Sequence, residues 1–306
     1  MFEKIVLVTR KTRLDGLVER FNTRAQARFY IEHAGGDFGA YVEEHDAYQR
    51  SLEVARRAVE TGLKVQVMDR GLVPTYVFGS GDLIVTLGQD GLVANTAKYV
   101  GGQPIIAVNP DRERFDGVLL PFAPEELRAQ VERVGAGTAR MRAVTMAEAR
   151  LADGQRLLGF NDLFIGAATH VSARYSIRLN GRREQQSSSG IIVSTGAGST
   201  GWLSSIFNET AGIVAFLGGG PVAPLRLGWE EQRLLFVVRE PFVSRHSTAA
   251  IVAGAVEPEA GLELESQMPA GGVIFSDGME ADYLDFNSGA VARVGIAREK
   301  ANLVVA

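Results

Sequence analysis

Asp82-Leu83-Ile84-Val85-Thr86-Leu87-Gly88-Gln89-Asp90-Gly91, running on into Leu92 to Val100, reads as a strand, a tight glycine turn and the opening of a helix. Further short apolar runs lie on either side of it: Ile5-Val6-Leu7-Val8, Lys64-Val65-Gln66-Val67-Met68 and Pro104-Ile105-Ile106-Ala107-Val108. The run at Ile5 is continuous and rich in β-branched residues, the pattern of a strand covered on both faces, so a parallel sheet is expected. Strand-like runs that alternate with turns and helical segments specify an α/β domain. Ligands of open α/β sheets lie just beyond the carboxyl ends of the strands, which puts Asp90 at the expected mouth of such a site. Taken alone, Gly-x-Asp-Gly is equally at home in any tight connection, because Asp and Gly both suit turns.

Between the first two runs, from Arg10 to about Leu63, the chain is polar and Arg-rich. Helical patterns are expected over about Leu17 to His33 and Val42 to Thr61, separated by Gly35-Gly36-Asp37-Phe38-Gly39, with the charge run on a solvated face. A helix from about Pro124 to Val134 is expected to close this first unit. Beyond Gly135-Ala136-Gly137 the character changes to short alternating runs separated by Gly, Asn and Asp: 139–143, 156–165, 173–179, 190–194, 233–238, 249–253, 262–265, 272–275, 281–286 and 290–296. This half is expected to be mainly β. The resulting division is an α/β domain over 1–135, a β-rich domain over 136–288, and a segment 289–306 expected to return to the first domain. A chain of 306 residues is long enough for two cores.

The apolar fraction of 46% and charged fraction of 22% are those of a globular protein, and a formal net charge of −4 argues against a general nucleic-acid or anionic-membrane binder. The absence of cysteine excludes disulfides, thiolate metal sites and a cysteine nucleophile, and fits a reducing compartment. No apolar span of ~18 residues is present and the N-terminus enters a strand-like run directly, so a cytoplasmic protein is expected. His33, His45, His170 and His246 lie far apart without ligand spacing, and no metal-ligating residues are assigned beyond a link of Asp90 to a divalent cation.

A second strand-to-helix junction stands out at Gly190-Ile191-Ile192-Val193-Ser194-Thr195-Gly196-Ala197-Gly198-Ser199-Thr200-Gly201-Trp202-Leu203-Ser204-Ser205. Its glycines can take positive φ and approach a ligand closely. The hydroxyls of Ser194, Thr195, Ser199 and Thr200, with the N–H groups of the first helical turn, can donate to anionic or ribose oxygens. The competing reading is an ordinary turn with Ser/Thr capping.

The Gly88-Gln89-Asp90-Gly91 loop, then Phe160-Asn161-Asp162-Leu163-Phe164-Ile165-Gly166, then the Ser194-to-Thr200 turn resemble, in order and spacing, the NAD kinases. The similarity extends to the mitochondrial type and its bacterial relatives through Val108-Asn109-Pro110-Asp111-Arg112-Glu113-Arg114 with Gly117. The same subgroup is echoed in Gln186-Ser187-Ser188-Ser189-Gly190, in Arg239-Glu240-Pro241 and in Asp285-Phe286-Asn287-Ser288-Gly289-Ala290, so the resemblance spans about residues 4 to 296. It implies an N-terminal α/β domain with a parallel sheet, a β-rich, sandwich-like C-terminal domain, and an active site in the cleft between them. It also implies transfer of the terminal phosphoryl group of ATP to the 2′-hydroxyl of the adenosine ribose of NAD, with Mg²⁺ or another divalent cation, in a homodimer or larger assembly. Asp90 would be the catalytic base. Gly88, Gly91, Asn161, Asp162, Thr195, Gly198, Ser199, Thr200, Gly201, Trp202 and Ser205 would line the nucleotide pocket, with Trp202 placed to flank a base or nicotinamide ring.

Arg112, Arg114, Arg239 and Arg245 each suit either a phosphate or a structural ion pair. The sequence departs from the family pattern where Gln89 replaces a glycine and Leu92 a threonine, both on the expected phosphate face. Ser189 stands where classical relatives carry Asp. Two alternatives follow: a nucleotide-binding homologue without efficient catalysis, because positioning is sensitive to the phosphate loop, and a lipid kinase of the diacylglycerol or sphingosine type. Against the latter stand the Asn161-Asp162 pair and the lack of an apolar or basic membrane-docking segment.

Overall fold

In the first unit, β1 (Lys4–Thr9), β2 (Lys64–Asp69), β3 (Asp82–Leu87) and β4 (Pro104–Val108) pair in parallel in the order β2-β1-β3-β4. The apolar runs of β1 and β3 are what such a sheet requires, Ile5 to Val8 and Leu83 to Val85 being completely buried, while β2 is an edge strand with Val65 and Val67 exposed. Helices α1 (Arg13–Phe21), α2 (Arg24–His33) and α3 (Phe38–Ala58) connect β1 to β2, α4 (Asp90–Ala97) connects β3 to β4, and α5 (Leu127–Gly135) follows β4. Tyr48 and Ala55 of α3 and Leu127 and Val131 of α5 pack on Ile5, Leu7, Leu83, Val85 and Leu87. Each such fully buried aliphatic side chain stabilises the fold by about 1.5–3 kcal/mol. The computed structural model describes residues 2–223 and 225–306. Its contacts divide the chain into one unit up to Arg142 joined by Asn302–Ala306, and a second of Ala143–Ala301.

The helix expected over residues 17–33 is two helices. Asn22 adopts φ 64° and ends α1, and the Thr23 hydroxyl accepts from the Gln26 N–H at 3.1 Å to start α2. Hydrophobic periodicity does not register a break of two residues, whereas the Asn-Thr pair does.

The second unit is built from β5 (Met141–Leu151), β6 (Arg156–Gly159), β7 (Asp162–Ala167), β8 (Ala173–Leu179), β9 (Arg182–Ser188), β10 (Ile191–Ser194), helix α6 (Trp202–Phe216), β11 (Leu234–Val238), β12 (Ala253–Val256), β13 (Leu262–Ser266), β14 (Gly272–Ser276), β15 (Tyr283–Asp285) and β16 (Val291–Val304). A six-stranded sheet runs β12-β11-β10-β7-β14-β15, and a second antiparallel array runs β16-β13-β8-β9, with β5 joining β16 and β6. Ile165, Ile191, Val193, Phe236 and Ile274 of the first sheet meet Tyr175, Ile177, Leu264 and Val294 of the second in one core, which makes the unit a β-sandwich. At its end β16 enters the first unit, where Asn302 and Leu303 pair in parallel with Pro104 and Ile105.

Two local expectations change. The run 156–165 is two strands, β6 and β7, broken at Phe160-Asn161. β9 is a strand with no apolar residue; its register with β8 and the reach of Glu184 to the Ile251 N–H (2.8 Å) hold it. Among the described residues no helix is long and apolar enough to cross a membrane.

Candidate functional site

Candidate nucleotide-binding residues occur in both units. In the first, the strand order decides where a crevice opens. The chain leaves β1 for β2 on one side and β3 for β4 on the other, so the loops after β1 and β3 diverge, and that divergence is the switch point at which α/β sheets take ligands. Gly88 to Gly91 follow β3 at this point, and Asp90 is the first residue of α4. The half-buried Asp90 accepts the Leu119 N–H on Oδ1 at 2.7 Å, which ties the α4 start to the segment after β4 and fixes the carboxylate.

The departures from the family pattern fall on opposite sides of this loop. A Cβ on Gly88 would lie 2.7 Å from Leu92 Cδ2, so the buried Leu92 folds under the loop and closes against the glycine. Gln89 is exposed and makes no capping bond to α4, so its side chain stays on the solvent side. Nothing lies within 4 Å of a Cβ at Gly91.

Tyr48, a site residue that the sequence did not single out, braces the switch point. Its hydroxyl accepts the Arg10 N–H at 3.0 Å and donates to the Leu87 carbonyl at 3.1 Å, linking the carboxyl ends of β1 and β3. Burial pushes its pKa above the ordinary tyrosine value, so it stays a neutral donor. Asn109 is buried and braces the next loop: Nδ2 donates to the Phe115 carbonyl at 2.9 Å and Oδ1 accepts the Asp111 N–H at 3.0 Å. Gly117, at φ 64°, lies where a Cβ would come 2.6 Å from that Nδ2. Arg112 pairs with Glu126 at 2.7 Å and Arg114 with Asp111 at 3.5 Å, so both are structural ion pairs here.

In the second unit the Asn161-Asp162 turn is held from two directions. The Asp277 carboxylate accepts the N–H groups of Phe160 (2.9 Å), Asn161 (2.6 Å) and Asp162 (3.2 Å). On the other side the Asn161 carbonyl accepts the Thr195 N–H at 2.9 Å and the Thr195 hydroxyl at 3.2 Å. A Cβ on Gly198 would lie 2.0 Å from that same carbonyl, and one on Gly196 2.0 Å from the Gly228 carbonyl. These glycines are therefore required for close approach of backbone to backbone. Gly190, ahead of the strand, takes the expected positive φ at 101°, but the turn does not: Gly196 sits at φ −59° and Gly201 at −95°.

The hydroxyls divide in the same way. Thr195 donates to the Phe160 carbonyl at 2.6 Å, Ser199 to the Gly196 carbonyl at 2.8 Å and Ser194 to the Thr195 carbonyl at 3.2 Å, all buried. Their work is to shape the turn. Thr200, Gly201 and Ser205 are exposed at the amino end of α6, and the Asn161 side chain projects, half-buried, from the clamped turn. Trp202 stacks on Phe164 with centroids 5.9 Å apart and planes 6° apart, and the Arg239 guanidinium lies 5.4 Å from its centroid. The ring thus has protein partners already, and a ligand ring would meet only its remaining surface. In the Gln186-to-Gly190 stretch, Tyr175 bonds Gln186 and Ser188 at 3.0 and 2.7 Å in the core. Asp277 was legible only as an Asp-Gly at the end of an apolar strand, a signal shared by many turns.

Among the described residues no group of three or more His, Asp or Glu converges to hold a metal ion. No family model matches the chain. An NAD kinase of Chlorobium phaeobacteroides is 30% identical over 126 residues, which cover 40% of this chain and 43% of that protein. The structure of yeast NADH kinase complexed with NADH superposes with a TM-score of 0.60 at 16% identity, covering all (100%) of this chain and 84% of that one. That of an Archaeoglobus fulgidus NAD kinase in complex with ATP superposes with a TM-score of 0.54 at 18% identity, covering 98% and 93%. The chain thus shares its fold with these two kinases, and over 126 residues, less than half the length of either chain, it is similar in sequence to an NAD kinase.

Proposed function

We propose that the chain is an NAD kinase that transfers the terminal phosphoryl group of ATP to the 2′-hydroxyl of the adenosine ribose of NAD or NADH. The observation that carries this reading is Asp90, a carboxylate fixed by the Leu119 N–H at the first position of α4, beyond the end of β3. A carboxylate so placed takes the ribose proton, or orients the hydroxyl, as the phosphoryl group arrives, a contribution typically worth ~10²–10⁴ in rate. The positive end of the α4 dipole favours phosphate oxygens beside it. Asn161 offers both a donor and an acceptor on a backbone that cannot shift, which suits the edge of an adenine or a ribose hydroxyl.

The residues present fit Mg²⁺ that arrives on the donor phosphates, with Asp90 as a protein ligand, rather than an all-protein cage. When bound, Mg²⁺ neutralises charge on the phosphates.

The test is a comparison of the wild type with Asp90→Asn, using steady-state formation of the phosphorylated dinucleotide and separate measurement of NAD binding. The amide oxygen can still accept the Leu119 N–H, so the fold is retained. Turnover is expected to fall by at least ~10² with NAD affinity unchanged, the signature of a lost base. Near-normal turnover would refute the assignment. Tight NAD binding with no turnover in the wild type would leave a binding protein.

A further inference from the structure

We infer that Lys300 and Thr145, both in the second unit, together bind a phosphate oxygen of the nucleotide. The inference rests on the reading of this chain as a kinase of dinucleotides and adds two ligand-binding residues to it. The two come from long strands that pair with each other, Thr145 from β5 and Lys300 from β16.

Lys300 Nζ donates to Gln232 Oε1 at 2.8 Å and to Thr145 Oγ1 at 3.1 Å. Gln232 Nε2 donates to the same Thr145 oxygen at 2.9 Å and to the Glu230 carbonyl at 3.1 Å. Donors are therefore in surplus. An ammonium carries three N–H groups, of which these bonds use two, and the Thr145 hydroxyl accepts two bonds while its own proton has no acceptor among the described residues. Thr145 is completely buried and Lys300 half-buried. No carboxylate lies within ion-pair distance of Lys300 among the described residues, and burial lowers its pKa below the ordinary lysine value. Two unspent donors side by side in a partly desolvated place, one of them cationic, call for an anionic oxygen.

Two features put that oxygen on the nucleotide. The Thr145 N–H donates to the Trp229 carbonyl at 2.8 Å, and the neighbouring Gly228 carbonyl is the one that a Cβ on Gly196 would meet at 2.0 Å. The Lys300 group thus backs the segment on which the Gly196 turn rests. β5 and β6 pair with Ala147 opposite Gly159, and two residues beyond that pair stand Thr145 on one strand and Asn161 past the end of the other. The group is flanked by the turn and by the asparagine that carry the nucleotide reading of this unit, and it adds a cation beside their neutral donors and acceptors.

The experiment reads the Lys300 amine directly. The full chain is treated briefly with acetic anhydride, alone and with saturating NAD, ATP or adenosine, and acetylation of each lysine is followed by peptide mass spectrometry. The expected result is loss of Lys300 acetylation with NAD or with ATP, while Lys64, exposed on β2, reacts as before. The nucleotide that protects identifies which substrate brings the phosphate. Adenosine, which has the base and ribose but no phosphate, should leave Lys300 reactive. Protection by neither nucleotide, or equal protection by adenosine, would overturn the inference. Equilibrium binding of the protecting nucleotide gives a second readout. Lys300→Gln should weaken it by ~10-fold or more, as removal of a charge-assisted bond does. Thr145→Val should weaken it by a smaller factor, and Thr145→Ser, which keeps the hydroxyl, should bind like the wild type. Wild-type affinity in both Lys300→Gln and Thr145→Val would also overturn the inference. Protection of Lys300 in a chain that forms no phosphorylated dinucleotide keeps the site and removes the functional reading; an active chain whose Lys300 reacts equally with and without nucleotide does the reverse.

Discussion

Asp277 shows how one side chain can set the backbone geometry of three residues distant from it in sequence. Its carboxylate takes the N–H groups of Phe160 and Asn161, at the break between two strands, and of Asp162, the first residue of the second strand. Asp277 itself adopts φ 53°, a region that Asp and Asn tolerate better than most residues. Asp277→Ala leaves these donors without a partner and should lower unfolding free energy by about 2–4 kcal/mol, read by urea denaturation. It should also raise KM for NAD more than it lowers kcat, because Asn161 loses its fixed position. Asp277→Asn keeps one acceptor and should recover much of the stability; an alanine variant as stable as the wild type would dispose of this role. At this scale the sequence was misleading where a hydroxyl or glycine serves its own backbone. Ser194, Thr195 and Ser199 satisfy internal carbonyls, and Gly198 makes room for one.

Among the elements, α3 does more than cover the sheet. Tyr48 projects from it to join Arg10 after β1 and Leu87 at the end of β3, so the switch point is braced by a helix distant from both in sequence. Tyr48→Phe preserves the buried ring and removes both hydrogen bonds. A loss of about 1–3 kcal/mol is expected from two buried backbone groups left unpaired, measured by denaturant unfolding, with lower phosphoryl-transfer rates below the transition. An unchanged unfolding midpoint would mean that the brace is idle. β1, β3 and β4 were legible because burial on both faces demands uninterrupted apolar runs, whereas β2, at the sheet's edge, is mostly exposed. β9 was not, since Arg182 to Ser188 is held by pairing and side-chain bonds rather than by apolar burial. The division of the 17–33 helix was also hidden, because a left-handed Asn22 leaves the hydrophobic period on either side intact.

For the whole molecule, the sheet order β2-β1-β3-β4 and the β-sandwich of the second unit were within reach of the sequence as fold class, but not as topology. Register and strand order arise from long-range pairing, such as that of Asn302 with Pro104, which local pattern does not encode. The measurement that bears most directly on this account is incubation of the purified chain with ATP, Mg²⁺ and NAD or NADH, followed by ³¹P NMR of the dinucleotide product. A new phosphate on the 2′-oxygen of the adenosine ribose is the expected result, and a product phosphorylated elsewhere, or no product from either acceptor, would contradict it.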